Sequence, residues 1–262
     1  MSRDGVRRRE DPRLVTGAGQ FVDDLRLAGS VHVAILRSPH AHAAIRGIDT
    51  AAAAGAPGVL AVVTSEDLGP AAEPMPIYAP HPALPRPCGI RPLARDVVRF
   101  VGESVAAVVA ADAYRAHDAL ERIRVDYDPR PAVVGVEAAV ATGAPLVHDW
   151  LGTNVASEWQ QRVGDVEGAI RAAEVVVRTR FRLSRGGAHP LEPRGLVAHW
   201  ANGQLTVWAA VQMVHRHRAV FAGHLGLVEE QVRVIAPADV GGGFGTKGMY
   251  YPESLLSKLR RA

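Results

Sequence analysis

The dipeptide Asn202-Gly203, with a short apolar segment on each side, predicts a β-hairpin. The flanking segments are residues 196–200 and 205–208, and both have the length and composition of strands. Asn-Gly tolerates the positive φ angles that a two-residue type I′ turn requires, which makes it the strongest short-range hairpin signal. We therefore expect the second half of the chain to be built around a β-sheet.

Three further segments complete the prediction for this half. Residues 175–183 alternate apolar side chains with arginines and threonine, the pattern of a strand with one buried face. A helix is expected over residues 214–225, ended by Gly226, and a strand over residues 232–235.

Alternating strands and helices are predicted for the first half. Apolar runs of strand length occupy residues 31–36, 58–63 and 105–110. Asp112 can cap a helix in which apolar residues recur at helical spacing, and extended chain returns at residues 125–127. The succession predicts a compact unit of mixed α and β structure.

Prolines mark a loop and a domain boundary. Many prolines between residues 70 and 92 predict a long surface loop, because proline lacks a backbone donor and fixes φ. Pro129 and Pro131, followed by an Ala/Gly/Val-rich stretch, place a boundary near residue 140. We expect one domain over residues 1–140 and a second over residues 141–262.

Composition excludes several classes of function. The 30 Lys and Arg residues barely exceed the 27 Asp and Glu residues and are scattered, so no nucleic-acid partner is expected. Cys88 is the only cysteine, so an iron–sulfur centre would have to come from a partner. No stretch approaches the ~18 apolar residues of a membrane span, and residues 1–12 resemble no export signal; a cytoplasmic protein is expected.

A glycine-rich loop, residues 241–247, is the most informative candidate site. Four glycines around Phe244 let backbone amides approach a ligand that carries acceptor atoms. The loop fits neither the P-loop pattern nor the dinucleotide fingerprint. From these residues alone, a binding loop and a structural turn remain equally open.

Gln212 is the second candidate, because a glutamine at a strand end can donate a hydrogen bond without adding charge. On spacing alone we favour the alternative that Gln212 caps the following helix and that His215 and His217 are solvated. The histidines lack the spacing of a ligand set, so no protein-ligated metal is predicted. Glu192 and Arg194 could form a surface ion pair of little weight.

Several motifs follow one another in the order and at the spacing of one known family. In the first half they are residues 8–17, 19–24, 37–43, 101–110 and 125–129. In the second half they are Glu192-Pro193-Arg194-Gly195, then Gln212 with His215 and Arg218, and then the loop of residues 241–247. Together they resemble the large, molybdenum-cofactor-binding subunit of the xanthine dehydrogenase, aldehyde oxidase and aerobic carbon monoxide dehydrogenase family.

The resemblance implies an α+β fold, with an α/β hammerhead domain followed by the first part of a mixed α/β molybdenum-cofactor-binding domain. It implies a molybdenum–molybdopterin cofactor whose metal is held by the pterin rather than by side chains. Gln212 would donate to an oxo ligand of the molybdenum, and Gly243, Phe244 and Gly245 would lie beside the cofactor. The nucleotide form of the pterin stays open, with the cytosine dinucleotide among the alternatives.

The resemblance also implies an activity and partners. Members hydroxylate a carbon centre of an aldehyde or N-heterocycle, or oxidise carbon monoxide, with oxygen from water. Their electrons leave through an iron–sulfur subunit and usually a flavin subunit. Purine-oxidising members carry a glutamate where this chain has Gly248, which favours the carbon monoxide dehydrogenase-like and aldehyde-oxidising branches.

After Glu253 the sequence departs from the family pattern. The family's base glutamate would lie beyond residue 262, so no catalytic residue is assigned, and cofactor binding would need the remaining domain. We expect a truncated product or one piece of a split subunit completed by a separate chain. Two alternatives stay open: an inactive docking or assembly module, and an unrelated nucleotide-binding protein with a strand directly before the glycine loop and a helix directly after it.

Overall fold

The fold is described from a computed structural model, which covers residue 5 and residues 8–75, 88–183, 186–251 and 253–254. Within these residues there are nine strands and six α-helices. In chain order they are α1 (Asp11–Val15), β1 (His32–Arg37), β2 (Ala43–Asp49), α2 (Ala51–Ala54), β3 (Val59–Val63), β4 (Val97–Val98), β5 (Ser104–Ala110), α3 (Ala113–Leu120), β6 (Arg124–Pro129), α4 (Val136–Ala139), α5 (Val166–Ala172), β7 (Leu196–Ala201), β8 (Gln204–Ala209), α6 (Val214–Leu225) and β9 (Val232–Ile235).

The first half forms two three-stranded antiparallel sheets, with strand orders β1-β5-β3 and β4-β2-β6. Every residue of β5 is buried, since β5 is the central strand of its sheet and α3 covers it. Asp112 caps α3 by accepting a hydrogen bond from the backbone N–H of Arg115 at 2.9 Å. The predicted strand–helix–strand unit is confirmed.

The second half contains the sheet β7-β8-β9. Strands β7 and β8 form the predicted hairpin, and Asn202 and Gly203 have φ angles of 50° and 77°. Helix α6 connects β8 to the parallel strand β9 and packs on the sheet through Phe221 and Ala222. Gly226, with φ of 66°, ends the helix as predicted.

The strand predicted over residues 175–183 is wrong. These residues form no helix or strand, and their apolar side chains are exposed: Phe181 by 81% and Leu183 by 89%. A strand needs a neighbour for its backbone hydrogen bonds, and none of the described strands lies beside this segment. Over residues 131–194, no described residue is buried.

The irregular proline-rich segment begins later than predicted, because two 3-10 turns, separated by a kink at Gly69, extend through Pro70 to Ala72. Residues 73–75 and 88–92 form no helix or strand, and residues 76–87 lie outside the described part. The prediction that this segment lies on the surface is wrong at both described ends, because Pro92 is fully buried and Met75 is buried in the core of the β7-β8-β9 sheet, beside Leu205 and Val207. The domain boundary near residue 140 stays a prediction. None of the described helices is long and apolar enough to cross a membrane.

Candidate functional site

Gln212 lies between β8 and α6 and is bonded to the glycine loop twice. Its backbone N–H donates to the carbonyl oxygen of Lys247 at 2.9 Å. Its side-chain Oε1 accepts a hydrogen bond from the backbone N–H of Gly245 at 3.2 Å. The N-cap of α6 is Met213, without a side-chain cap, so the interpretation of Gln212 as a helix cap is wrong.

The loop requires glycine because other segments approach its backbone. A Cβ atom on Gly243 would lie 2.7 Å from Cδ of Gln212, and one on Gly241 would lie 2.5 Å from Cβ of Glu192. Gly242 and Gly245 have φ angles of 90° and 93°, where side chains are strained. Phe244 also has a positive φ, of 49°.

Three neutral hydrogen-bond donors are gathered at this loop. The backbone N–H groups of Gly243 and Phe244 and the Nε2 amide of Gln212 have no acceptor among the described residues. Gln212 is exposed, and Phe244 is exposed by 77%. Neutral donors gathered beside an exposed ring are suited to a ligand with oxygen or nitrogen acceptors.

An ion pair with little exposure to solvent lies behind the loop. The side chain of Lys247 has no exposed surface, and its Nζ donates to Oε2 of Glu192 at 2.6 Å. The same oxygen accepts the backbone N–H of Gly241 at 2.7 Å. The sequence analysis did not predict this pair. The available signal was a lysine that lies among small residues and has no carboxylate next to it in the sequence.

Arg194 does not pair with Glu192, so the predicted surface ion pair is wrong. Its Nη2 donates to Oε1 of Glu253 at 2.7 Å, and its guanidinium lies 3.4 Å from the centroid of the Tyr251 ring. Arg37, from the end of β1, donates to the same Glu253 oxygen at 3.1 Å. These contacts join the two halves of the chain beside the site.

The N-terminal segment holds the start of the loop. Arg13 forms a two-point hydrogen-bonded ion pair with Asp239, in which Nη2 lies 2.6 Å from Oδ1. The backbone N–H of Gln20 donates to Asp239 at 2.8 Å. The hydrogen bonds from Arg13 and Gln20 lower the pKa of Asp239. Sequence patterns did not reveal this contact, because its partners are 226 positions apart.

His215 is exposed, as expected, but His217 is buried, so the interpretation of both as solvated is wrong for His217. The His217 ring packs edge-on against Tyr250 at 4.6 Å, and its Nδ1 lies 2.9 Å from the carbonyl oxygen of Met213. Burial lowers the pKa of His217, which favours a neutral ring. The described residues contain no cluster of three or more potential metal ligands.

The geometry required by the nucleotide-binding alternative is not found around the loop. Strand β9 ends at Ile235, six residues before Gly241, and a single 3-10 turn, Thr246–Gly248, follows the glycines. A phosphate site at a helix N-terminus needs a helix that begins at the loop. Within residues 232–251 there is none.

Two family models match the chain. Residues 16–131 match the a/b hammerhead domain of aldehyde oxidase and xanthine dehydrogenase, and residues 147–259 match the molybdopterin cofactor-binding domain.

Curated relatives cover nearly the whole chain but are much longer. The nicotine 6-hydroxylase large subunit of Paenarthrobacter nicotinovorans is 38% identical over 97% of this chain and 31% of the relative. The carbon monoxide dehydrogenase large chain of Afipia carboxidovorans is 38% identical over 92% of this chain and 31% of the relative. The chain thus spans about a third of the length of these relatives.

Solved structures of the same family resemble this chain along nearly its whole length. Quinoline 2-oxidoreductase from Pseudomonas putida 86 is 40% identical, with a TM-score of 0.87 over 96% of this chain and 32% of that one. The Cu,Mo-CO dehydrogenase is 37% identical, with a TM-score of 0.82 over 95% of this chain and 32% of that one.

Proposed function

The chain belongs to the aldehyde oxidase and xanthine dehydrogenase family, of which it carries the hammerhead domain and the first part of the molybdopterin cofactor-binding domain, and we propose that it forms one side of the cofactor site in a molybdenum hydroxylase large subunit. The family resemblance and the α+β fold inferred from sequence are confirmed. The observation that carries the proposal is the set of three donors without acceptors among the described residues, at Gln212, Gly243 and Phe244.

These residues suit the molybdenum–molybdopterin cofactor, which is rich in acceptor atoms and needs no side-chain metal ligand. When bound, the cofactor supplies the redox chemistry that oxidises a carbon centre with oxygen from water. The Nε2 amide of Gln212 would donate a hydrogen bond to the molybdenum centre without adding charge to it. The backbone amides of Gly243 and Phe244 would help to hold the cofactor, the exposed Phe244 ring would lie beside it, and Gly245 holds the Gln212 side chain through its N–H.

We propose that the substrate is an aldehyde, an N-heterocycle or carbon monoxide. The names of the relatives, nicotine 6-hydroxylase and carbon monoxide dehydrogenase, support this range. Gly248 stands where purine-oxidising members carry a glutamate, and it has no side chain with which to bind a purine. Purines are therefore outside the proposed range.

The proposal extends to the partners. We assign an iron–sulfur subunit and a flavin subunit as electron acceptors, together with the remaining part of the cofactor domain, which residues 1–262 do not include; the nucleotide form of the pterin is left open. The single cysteine supports an iron–sulfur carrier on a separate subunit. The exposed apolar side chains of residues 131–194 support the requirement for that remaining part.

The test measures molybdenum per chain after purification alone, and after co-expression with a polypeptide that carries the remaining part of the cofactor domain. We expect molybdenum in the co-expressed sample. Gln212→Leu should lower the molybdenum content at least about threefold, since one lost hydrogen bond is worth about 1 kcal/mol. The control Gln160→Leu changes an exposed glutamine far along the chain from the loop and should leave it unchanged. A folded chain without molybdenum in either sample would contradict the proposal and favour the docking-module alternative.

A further inference from the structure

Glu192 joins the two ends of the glycine loop through one carboxylate oxygen. Its Oε2 accepts the backbone N–H of Gly241, the first loop residue, at 2.7 Å. The same atom accepts the Nζ of Lys247, the last loop residue, at 2.6 Å. The backbone N–H of Glu192 also donates to the carbonyl oxygen of Gly241 at 3.3 Å. The loop is therefore closed at its base by a side chain from another segment.

Lys247 connects the closed base of the loop to Gln212. The carbonyl oxygen of Lys247 accepts the backbone N–H of Gln212 at 2.9 Å, and Gly245, two residues earlier, donates to the Gln212 side chain. A shift of Lys247 would therefore move both the backbone and the side-chain anchor of Gln212.

Stability alone does not account for a charged pair in this place. Removing two charges from water costs free energy that their attraction often only offsets, and apolar side chains of similar volume are frequently as stable. A short, charge-assisted hydrogen bond is instead strongly directional. The side chain of Lys247 is fully buried and that of Glu192 is exposed by 12%, so solvent screens the pair little.

We propose that Glu192 and Lys247 are positioning residues, which close the glycine loop and thereby fix the Gln212 amide and the Gly243 and Phe244 backbone donors in one arrangement. The purpose of that arrangement rests on the proposed function. The closure itself is a property of this chain and can be measured without a cofactor.

The main experiment is hydrogen–deuterium exchange on this chain without cofactor, read at peptides that cover residues 210–214 and 239–249. Lys247→Met keeps the length of the side chain and removes its charge. We expect these peptides to exchange at least about tenfold faster in the variant, while peptides that cover β5 keep their wild-type rates. Unchanged exchange at the loop would overturn the proposal.

A matched control uses a surface ion pair of similar length. Arg180 and Glu137 form a pair at 2.7 Å, but their side chains are exposed by 81% and 52%. Arg180→Met should leave exchange at residues 210–214 and 239–249 unchanged. Faster exchange there in this control would show that the loop responds to any lost ion pair and would overturn the assignment.

A double variant separates positioning from bulk stability, because Lys247→Met alone leaves the Glu192 charge buried and could unfold the chain. In Glu192→Gln/Lys247→Met no charge is left unpaired, and the new amide can still accept from Gly241. We expect β5 to remain protected while the loop still exchanges faster than in wild type. If the pair served only stability, the double variant would regain wild-type exchange at the loop.

The co-expressed protein gives a second readout if it carries molybdenum. The electron paramagnetic resonance spectrum of its molybdenum should change in the double variant and stay constant in Arg180→Met. Loop exchange and molybdenum content answer different questions: wild type without molybdenum contradicts the proposed function, whereas an unaltered loop in the variants contradicts the positioning role.

Discussion

At the scale of single residues, Glu103 is a buried acid that the candidate site does not use. It is exposed by 5%, and its Oε2 accepts the backbone N–H of Arg99 at 2.5 Å. Burial raises the pKa of Glu103 above its ordinary value of 4.5, although hydrogen bonding to Arg99 opposes the shift. Because the folded state favours the neutral acid, stability falls as pH rises from about 4.5 through the folded-state pKa.

Glu103→Gln should therefore retain or raise stability at pH 8. The amide keeps an acceptor for Arg99 and carries no charge, whereas Glu103→Ala leaves that N–H unsatisfied and should cost about 1 to 3 kcal/mol. Thermal unfolding of the three proteins between pH 4 and pH 8 provides the measurement. The wild type should lose stability relative to Glu103→Gln across this range; a lower melting temperature for Glu103→Gln at pH 8 would contradict the argument.

At the scale of elements, the β7–β8 hairpin depends on a turn that few residues can form. Gly203 has φ of 77°, and a Cβ atom there would meet nothing within 4 Å. Gly203→Ala should cost about 1 to 2 kcal/mol through backbone strain alone. Gly186→Ala, with equal space and no positive φ, should cost much less. Urea unfolding compares the two variants, and equal losses would argue against strain as the cause.

The hairpin also shows which elements local sequence determines. Its turn, the capped helix α3 and helix α6 with its terminal glycine each depend on residues within one or two turns of chain, so their patterns predicted them. Residues 175–183 have an equally regular alternation and form no strand, because pairing needs a second strand that no local pattern supplies.

The candidate site could be predicted only in part, because local sequence patterns do not reveal contacts between distant residues. Motif resemblance pointed to Gln212 and the glycine loop, and the structure brings these together. The contacts that hold them, Glu192 with Lys247 and Arg13 with Asp239, join residues 55 and 226 positions apart. Periodicity and composition carry no information about such pairs, so only the folded chain reveals them.

At the scale of the whole molecule, the two halves share a core. Met75, from the first half, is exposed by only 6% and packs among buried residues of the β7-β8-β9 sheet, including Leu205 and Phe221. Nearby, Nε2 of His224 in α6 lies 2.9 Å from the carbonyl oxygen of Ala71. The sheet beneath the candidate site is therefore completed by a segment that precedes it by more than a hundred residues.

This shared core predicts that the halves unfold together. Met75→Ala should lower the free energy of unfolding by about 2 to 5 kcal/mol, the usual cost of deleting a buried methionine side chain. Met249→Ala, at a methionine exposed by 42%, should cost much less. Urea unfolding should give one transition, coincident by tryptophan fluorescence and by exchange at β5 peptides. Separate transitions, with β5 unaffected by Met75→Ala, would show that the two halves unfold independently.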